Sequence, residues 1–470
     1  MLFPTLNFGL FFLVVFFGSW SIQHQPTLRK LFLLLASYFF YGFWDWQFTL
    51  LLFASSYLNF MSGYFISRVN ILLYRKIILI FAIAINLSIL GFFKYYGFFL
   101  ETLEELFWKW GIERDLPLLE VIVPVGVSFF TFQGISYIVD VYHHKIEVNH
   151  TLLDMMLYIS FFPQLVAGPI VRAADFIPQL QAKPNSNQLL AAMGLLLIVW
   201  GLFKKAIVAN YLAVDLVDPV FFDPTAYSSW DLLAASYGYA VQIYCDFSAY
   251  SDIAIGVAAL LGYHFPKNFD QPYRAASLRE FWQRWHISLS SWLRDYLYIP
   301  LGGNQQSAIK TYRNIFITMF LGGLWHGAAW TFIIWGSLHG IALICERFIK
   351  TLWTTPYFSS ILYYFKVLFV FHFVCLAWIF FRANSLEIAL QFFTAFNHWE
   401  TPATLVTPFI VSLIGLGLSI HFTPPQTVTI LGNLFNRLPL TIQGLLIGII
   451  IIIIEAFGME GVAPFIYFQF

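Results

Sequence analysis

The stretch Ile77-Ile-Leu-Ile-Phe-Ala-Ile-Ala-Ile-Asn-Leu-Ser-Ile-Leu-Gly-Phe-Phe93 contains no charged residue and only two polar ones, Asn86 and Ser88. A soluble helix of this length would need a polar face, whereas a helix that crosses the roughly 30 Å hydrocarbon core of a bilayer does not. Five further predominantly apolar runs approach or reach the roughly 20 residues that span a bilayer. They cover residues 31–44, 48–66, 189–208, 361–381 and 440–454.

The composition of the whole chain also indicates a lipid environment. Of the 470 residues, 59% are apolar and 11% are charged, and the mean hydropathy is +0.73. These values lie far outside those of soluble domains. Within a bilayer only helices and closed barrels satisfy every backbone hydrogen bond, and the apolar runs are too long for barrel strands of about 9–11 residues. The sequence therefore predicts an all-α polytopic transmembrane protein.

Less uniform apolar stretches raise the predicted number of spanning or re-entrant segments to about 11–12. Proline and glycine interrupt the apolar sequence at residues 123–128 and 163–169, which predicts broken backbone that borders an internal cavity. The first segment lacks a basic flank and a small-residue cleavage site, so we expect a retained helix. One membrane domain is predicted to fill residues 1–470. The less uniform stretches are residues 7–20, 121–141, 154–166, 232–262, 315–344 and 405–421.

Charge is balanced over the chain but concentrated locally. The 25 basic and 25 acidic residues give no net charge, so no global field favours a nucleic-acid partner. Residues 267–313 contain seven Lys or Arg and three acidic residues, and the positive-inside rule predicts that this stretch is cytoplasmic. The cysteines have no metal-ligand spacing, and the G-x-S-x-G, H-E-x-x-H and Walker A motifs are absent. We therefore expect no bound metal or cofactor.

Ionisable groups inside a bilayer cost about 2.5–3.5 kcal/mol each, so those that occur carry a functional hypothesis. His326 follows a long apolar run, and a positioned imidazole can take a proton from a hydroxyl that attacks a thioester or ester. The alternative is a histidine that joins two helices by a hydrogen bond. Gly323 and Gly327 have the spacing that lets a neighbouring helix approach closely. On a straight helix His339 would lie roughly 20 Å from His326, so a structural role is expected for it.

A second candidate, His286, lies in residues 281–298, whose apolar and polar residues alternate as on an amphipathic helix. The pattern predicts a helix that lies at the membrane interface. Its arginines could bind the phosphates of a nucleotide-type acyl donor through their guanidinium forks, or could anchor the helix to lipid headgroups. The candidate donor-binding residues are Arg284, Trp285, Arg294 and Trp325.

Two carboxylates and one phenol complete the set of candidates. Asp246 and Asp252 lie within an apolar run and could form an ion or proton path. Six residues apart on a helix, they point about 120° away from one another, which favours two separate interhelical roles. Tyr467 belongs to an aromatic cluster at the C-terminus. An interfacial aromatic belt explains that cluster, but a phenol on a free terminus could also carry an acyl group as a covalent intermediate.

Five stretches together resemble the membrane-bound O-acyltransferase family, and most closely its bacterial branch of alginate and peptidoglycan O-acetyltransferases, with the teichoic acid D-alanyltransferases. The resemblance runs from about residue 120 to the C-terminus. It divides the single domain into generic N-terminal helices (1–119), a motif-bearing catalytic core (120–400) and C-terminal helices with a terminal aromatic motif (401–470). The stretches are residues 161–170 (FFPQLVAGPI), 242–256 (QIYCDFSAYSDIAIG), 281–304 (FWQRWHISLSSWLRDYLYIPLGGN), 323–327 (GLWHG) and 378–383 (WIFFRA).

The resemblance implies roles for three of the candidates. His326 matches the family's catalytic histidine, at the neck of a central funnel formed by the helices. His286 matches a second characteristic polar residue near the cytoplasmic mouth, where several relatives have Asn or Asp. The ending at residues 465–470 (FIYFQF) resembles the F-x-Y-x-x-F ending associated with teichoic acid D-alanylation, in which the tyrosine is proposed to receive the acyl group. That tyrosine corresponds to Tyr467.

The resemblance therefore implies an O-acyltransferase of the bacterial cytoplasmic (inner) membrane, in contact with lipid. It is expected to take an acetyl group from a cytoplasmic thioester donor, acetyl-CoA, and to pass it across the membrane to an exported or cell-envelope polysaccharide such as alginate or peptidoglycan. The expected partner is an extracytoplasmic O-acetyltransferase of the SGNH type. Two alternatives are a transporter of an acyl donor or lipid-linked sugar that uses Asp246 and Asp252, and a passive scaffold.

Overall fold

The computed structural model describes residues 1–112, 119, 121–352, 360–424, 426–459 and 465–466. It is 76% helical, and the described residues contain no strand. Seven helices are long and apolar enough to cross a membrane, or eight if the bent pair Pro408–Phe422 and Thr427–Asn436 forms one span. The predicted all-α polytopic membrane fold is confirmed. The seven are Phe48–Arg68, Leu72–Lys109, Leu190–Phe222, Ser229–Leu260, Trp330–Leu352, Ile361–Arg382 and Leu440–Phe457.

The chain forms two compact units, Met1–Leu2 with Leu6–Asn185, and Phe3–Thr5 with Ser186–Phe470. The division into residues 1–119, 120–400 and 401–470 stays a prediction. The first unit contains eight helices within its described part. They are α1 (Leu6–Ser21), α2 (Pro26–Gly42), α3 (Phe48–Arg68), α4 (Leu72–Lys109), α5 (Val127–Tyr142), α6 (Leu152–Ser160), α7 (Phe162–Leu165) and α8 (Ala173–Gln181).

In the first unit the two segments interrupted by proline and glycine lie against each other. Gly126 immediately precedes α5 and has a φ of 77°, a left-handed conformation that favours glycine. A Cβ at Gly126 would collide with the carbonyl oxygen of Leu165, at the end of α7. The breaks in the helices thus allow a close backbone contact, and the internal cavity beside them stays a prediction.

The second unit holds the remaining helices. They are α9 (Gln188–Phe203), α10 (Asn210–Leu212), α11 (Asp218–Phe222), α12 (Ser229–Leu260), α13 (Leu278–Arg284), α14 (Ile287–Leu293), α15 (Ala308–His326), α16 (Trp330–Leu352), α17 (Ser360–Arg382), α18 (Leu386–Thr394), α19 (Pro408–Ser419), α20 (Thr427–Asn436) and α21 (Leu440–Phe457). Two π-helical turns, Lys204–Ala209 and Ala213–Val217, connect α9 to α11. The central helix is α12, which is far more buried than the other candidate spans.

Glycines bring α9 and α12 into backbone contact. A Cβ at Gly256 would lie 2.5 Å from the carbonyl oxygen of Gly194, and a Cβ at Gly201 would lie 2.7 Å from that of Ala249. Small residues allow such an approach in membrane helices, where van der Waals packing replaces the hydrophobic effect between helices. The contact also brings the π-turn after α9 alongside the polar residues in the middle of α12.

Gly256→Ala is expected to destabilise the protein by about 1–3 kcal/mol, because the added methyl group would push α9 away from α12. Gly444→Ala, on α21, is the matched control, since a Cβ there meets nothing within 4 Å and alanine is the better helix former. Thermal unfolding of both variants in detergent measures the difference. Equal melting temperatures would contradict the close contact between α9 and α12.

Candidate active site

His326 is the last residue of α15, and its imidazole is enclosed by aromatic side chains. The helix ends there because Gly327 adopts an extended conformation. The imidazole is 3% exposed, and its ring centroid lies 5.1 Å from that of Trp325, 5.0 Å from Trp335 and 5.2 Å from Phe381. Such an enclosure excludes bulk water from the imidazole.

The prediction that residues 315–344 form one straight segment is wrong. After Gly327 the chain turns back, and α16 packs against α15 as a helical hairpin. A Cβ at Gly323 would collide with the carbonyl oxygen of Phe332 and would lie 2.9 Å from the Cα of Gly336. The small residues therefore allow the close approach that the spacing predicts, but the partner is the next helix of the same chain.

Because α15 and α16 form a hairpin, the separation expected for His326 and His339 on a straight helix is wrong. His339 lies 4.9 Å from Trp335, so the imidazoles of His326 and His339 contact the same indole. The other neighbours of His339 are the rings of Phe281, Trp282 and Phe373. Neither of its ring nitrogens has a hydrogen-bond partner among the described residues. His339 is a buried packing residue behind Trp335, which agrees with its expected structural role.

His286 lies between two short helices, so the prediction of one amphipathic interfacial helix over residues 281–298 is wrong. After α13 ends at Arg284, His286 takes a φ of 42° and precedes α14, which begins at Ile287. A left-handed φ on a non-glycine residue costs energy, and is retained where the surroundings hold it in place. The break turns the His286 side chain into the protein, where it is fully buried.

Asn268 holds the imidazole of His286. The Oδ1 atom of Asn268 accepts hydrogen bonds from the backbone N–H and the hydroxyl of Ser288, at 3.2 and 2.9 Å, and lies 3.3 Å from Nδ1 of His286. Its Nδ2 atom donates to Ser251 at 3.0 Å. A proton on Nδ1 of His286 would complete the contact with Oδ1 and would leave Nε2 as an acceptor. Burial lowers the pKa of His286 to about 3, so the ring stays neutral at physiological pH.

Asn268→Ala is expected to slow acyl transfer by about ten-fold or more, because the His286 ring loses the group that fixes its tautomer and orientation. Ser251→Ala is the matched control, since it removes the partner of Nδ2 but leaves Oδ1 facing His286. The rate of CoA release from acetyl-CoA, the donor that the family resemblance implies, measures both. Equal rates for the two variants would show that the contact to His286 does not matter.

The structure brings His286 and His326 into one cluster. The ring centroid of Trp325 lies 6.2 Å from that of His286 and 5.1 Å from that of His326, so this indole contacts both histidines. The ring of Phe247, on α12, lies 4.6 Å from His286 on another side. We call the set His286, Trp325 and His326 the histidine cluster.

The predicted donor-binding arginines differ in their surroundings. The Arg284 guanidinium lies 2.9 Å from Glu280 and 3.4 Å from Asp270, so two carboxylates already bind it. The Arg294 side chain is 62% exposed and pairs with Asp295 at 2.6 Å. Trp285 is buried, with its ring 5.0 Å from Trp378. Donor binding by Arg284, Trp285, Arg294 and Trp325 stays a prediction.

Asp246 and Asp252 each form an ion pair with a lysine of the π-turn after α9. Lys205 lies 2.8 Å from Asp246, and Lys204 lies 2.7 Å from Asp252. These are two separate interhelical contacts, as the spacing of the carboxylates predicts. The transporter alternative is not favoured, because a lysine already neutralises each carboxylate.

Sequence reasoning overlooked both lysines. They lie in the run of residues 189–208, which counts as apolar by its composition. A signal was available, because two adjacent lysines in one membrane segment require acidic partners and the segment of residues 232–262 carries Asp246 and Asp252.

The C-terminal residues Phe465 and Ile466 are buried against α12. The Ile466 backbone N–H donates to Oδ2 of Asp246 at 2.9 Å, and the Phe465 ring lies 4.3 Å from Tyr250 and 5.7 Å from Phe247. Since Phe247 also contacts His286, one aromatic side chain connects the C-terminal residues to the histidine cluster. Tyr467 is the next residue in the chain and lies outside the described residues.

No group of three or more His, Cys, Asp or Glu side chains in the described ranges is arranged to hold a metal ion. The expectation that the chain binds no metal or cofactor stays a prediction.

The membrane fold agrees with the comparisons to known proteins. The family model described as "MBOAT, membrane-bound O-acyltransferase family" matches residues 147–390. The chain belongs to the membrane-bound O-acyltransferase family, and it is therefore a multi-pass membrane enzyme that transfers acyl groups to oxygen.

Relatives of the chain are named for acyl transfer to alginate, peptidoglycan or teichoic acid. The chain is 39% identical to the "Probable alginate O-acetylase AlgI" of Pseudomonas aeruginosa over 85% of this chain and 76% of the relative. It is 39% identical to the peptidoglycan O-acetyltransferase of Helicobacter pylori over 83% of this chain and 79% of the relative. The teichoic acid D-alanyltransferase of Bacillus subtilis is 28% identical over 53% of this chain and 66% of the relative.

Proposed function

We propose that this O-acyltransferase takes an acetyl group from acetyl-CoA on the cytoplasmic side of the bacterial inner membrane and passes it outward for O-acetylation of an exported or cell-envelope polysaccharide. The observation that carries the proposal is that Phe247 joins the docked C-terminal residues to the histidine cluster. The names of the alginate and peptidoglycan relatives support the acetyl group and the polysaccharide acceptor.

In the first step, His326 takes the proton of the Tyr467 hydroxyl while the phenolic oxygen attacks the thioester carbon. The carbon–sulfur bond breaks, an acetyl–tyrosine ester forms, and the proton passes from His326 to the departing thiolate of CoA. His286 stays neutral, so its Nε2 atom orients a reacting group by accepting a hydrogen bond. The aromatic walls around His326 keep water away from the ester, which would otherwise be hydrolysed.

In the second step, a hydroxyl of an extracytoplasmic SGNH-type partner attacks the acetyl–tyrosine ester and releases free Tyr467. The partner then transfers the acetyl group to a sugar hydroxyl. This relay keeps the donor and the acceptor on opposite sides of the membrane, within a central funnel whose neck holds His326. The polysaccharide is alginate, peptidoglycan or another glycan that the partner selects.

The donor binds on the side of the basic stretch at residues 267–313. Of the two arginines, Arg294 is the more exposed and therefore the more accessible to a donor phosphate, and it pairs with Asp295, whereas Glu280 and Asp270 hold Arg284. Trp285 and Trp325 provide aromatic surface for the rest of the donor.

A test of the proposal follows the fate of radiolabelled acetyl-CoA in proteoliposomes that contain the purified chain. A transferase releases free CoA on the side of the donor, in an amount stoichiometric with the protein, and releases more once the SGNH-type partner is added on the opposite side. A transporter would deliver intact acetyl-CoA across the bilayer. Recovery of intact acetyl-CoA with no free CoA, in the presence of the partner, would contradict the proposal.

A further inference from the structure

The C-terminal segment of the chain is anchored by a carboxylate that lies in the interior of the protein. The side chains of Asp246 and Lys205 are 4% and 3% exposed, and their charged atoms lie 2.8 Å apart. One oxygen of Asp246 faces Lys205, while the other accepts the N–H of Ile466 at 2.9 Å. One carboxylate oxygen thus pairs with a cation, and the other accepts a hydrogen bond from the backbone of the last described residue.

The ion pair supports this hydrogen bond. A lysine within ion-pair distance offsets part of the cost of burying a carboxylate. A charged acceptor binds a backbone N–H more strongly than a neutral one. The Lys205 ammonium also lies 5.8 Å from the centre of the Tyr250 ring, which in turn contacts Phe465.

A neighbouring ion pair of the same kind makes no hydrogen bond to the described C-terminal residues Phe465 and Ile466. Lys204 pairs with Asp252 at 2.7 Å and donates to Ser248 at 2.6 Å, and both partners lie on α12. Two consecutive lysines therefore make equivalent contacts with one helix, yet within the described ranges only the Lys205–Asp246 pair binds the backbone of residues 465–466. This difference indicates that the Lys205–Asp246 pair does more than hold α9 and α12 together.

We propose that the Lys205–Asp246 pair, with Phe247 and Tyr250, is a docking site for the chain's own C-terminal segment. It binds the N–H of Ile466 and packs against the ring of Phe465, and it thereby fixes the point from which the chain continues to Tyr467. Asp246 and Lys205 are positioning residues, since they act through Ile466 on the next residue, Tyr467. The part that concerns Tyr467 rests on the proposed acyl relay, whereas the docking itself does not.

The test measures docking without using activity. Carboxypeptidase Y removes residues from the C-terminus of the purified full-length chain, and intact mass spectrometry follows the products. In the wild-type protein we expect digestion to slow before Phe465 and Ile466 are removed. Asp246→Asn should increase the rate of their removal by about ten-fold or more, because a charged acceptor is lost. Asp252→Asn, which disturbs the neighbouring ion pair, should leave that rate unchanged.

A second variant covers the case in which Asp246→Asn fails to fold because Lys205 is left unpaired. Ile466→Pro removes the N–H donor, fixes φ at that residue and leaves the ion pair intact, and Ile466→Val retains the donor. Because carboxypeptidase Y releases proline slowly, this pair is digested with chymotrypsin, which cleaves after Phe468 in both variants. Faster loss of the last two residues in the proline variant than in the valine variant supports the docking site. Equal rates in that pair overturn the inference, and so does an Asp252→Asn chain that is digested as fast as a folded Asp246→Asn chain.

The same samples separate this inference from the proposed function. If acetyl-CoA labels Tyr467 while digestion is insensitive to Asp246 and to the Ile466 N–H, the docking site is wrong and the relay stands. If digestion responds as expected but no variant is ever acetylated, the docking site stands and the relay is wrong.

Discussion

Replacing His326 by alanine is expected to lower acyl transfer by about 10²- to 10⁴-fold while leaving expression and folding intact. The substitution removes the only base that we assign to the attacking hydroxyl, and the rings of Trp335 and Phe381 that surround it exclude water from taking its place. The measurement is CoA release from acetyl-CoA by the purified variant, together with acetylation of the polysaccharide in cells.

His339→Ala is the matched control for this prediction. The imidazoles of His326 and His339 both contact the indole of Trp335, and both are buried. The two alanine substitutions therefore remove a similar amount of packing. We expect the His339 variant to be less stable but to retain most of its activity. Undiminished acetylation by His326→Ala would remove this residue from the mechanism. It would favour the alternative in which His326 only joins helices.

Tyr467→Phe is expected to abolish polysaccharide acetylation in cells, because the variant keeps the aromatic ring but lacks the oxygen that would carry the acetyl group. Tyr211→Phe is the control. Its hydroxyl donates to the carbonyl of Phe457 at 3.0 Å and has no assigned task in the transfer. If the Tyr467 variant acetylates the polysaccharide at the wild-type rate, the acetyl group does not pass through the C-terminus.

The sequence predicts the fold class well because lipid imposes a local constraint. A run such as residues 440–454 must be helical wherever its neighbours lie, since no other open structure satisfies its backbone in hydrocarbon. The sequence singles out His326 for the same reason. An ionisable residue within an apolar membrane segment is costly, so its presence suggests a function. The family resemblance, which rests on short motifs such as residues 323–327, is confirmed by the family model and by the relatives.

The features that the sequence does not predict depend on contacts between distant residues. The turn after Gly327 is stabilised by the packing of Gly323 against Gly336, and neither residue by itself marks the end of a helix. The left-handed backbone of His286 is held by Asn268, eighteen residues earlier. A helical-wheel pattern assumes a continuous helix. It therefore places His286 on the surface of a single helix over residues 281–298, which the structure does not form.

The ion pairs of Lys204 and Lys205 illustrate the same limit. Hydropathy averages over a segment, and two lysines at the end of a long apolar run hardly change that average. Only the glycine contacts between α9 and α12 bring them opposite Asp246 and Asp252. The packing of small residues thus determines which charges meet, and hence where the C-terminal residues bind.

The central claim is that the acetyl group resides on this chain between the donor and the partner. It is tested most directly by the intact mass of the purified protein after incubation with acetyl-CoA, for the wild type, His326→Ala and Tyr467→Phe. We predict an adduct of about 42 Da on the wild type, which maps to Tyr467 and is absent from both variants. No adduct on the wild type, with CoA release that still depends on His326, would contradict the relay and would indicate direct transfer to the partner or the glycan.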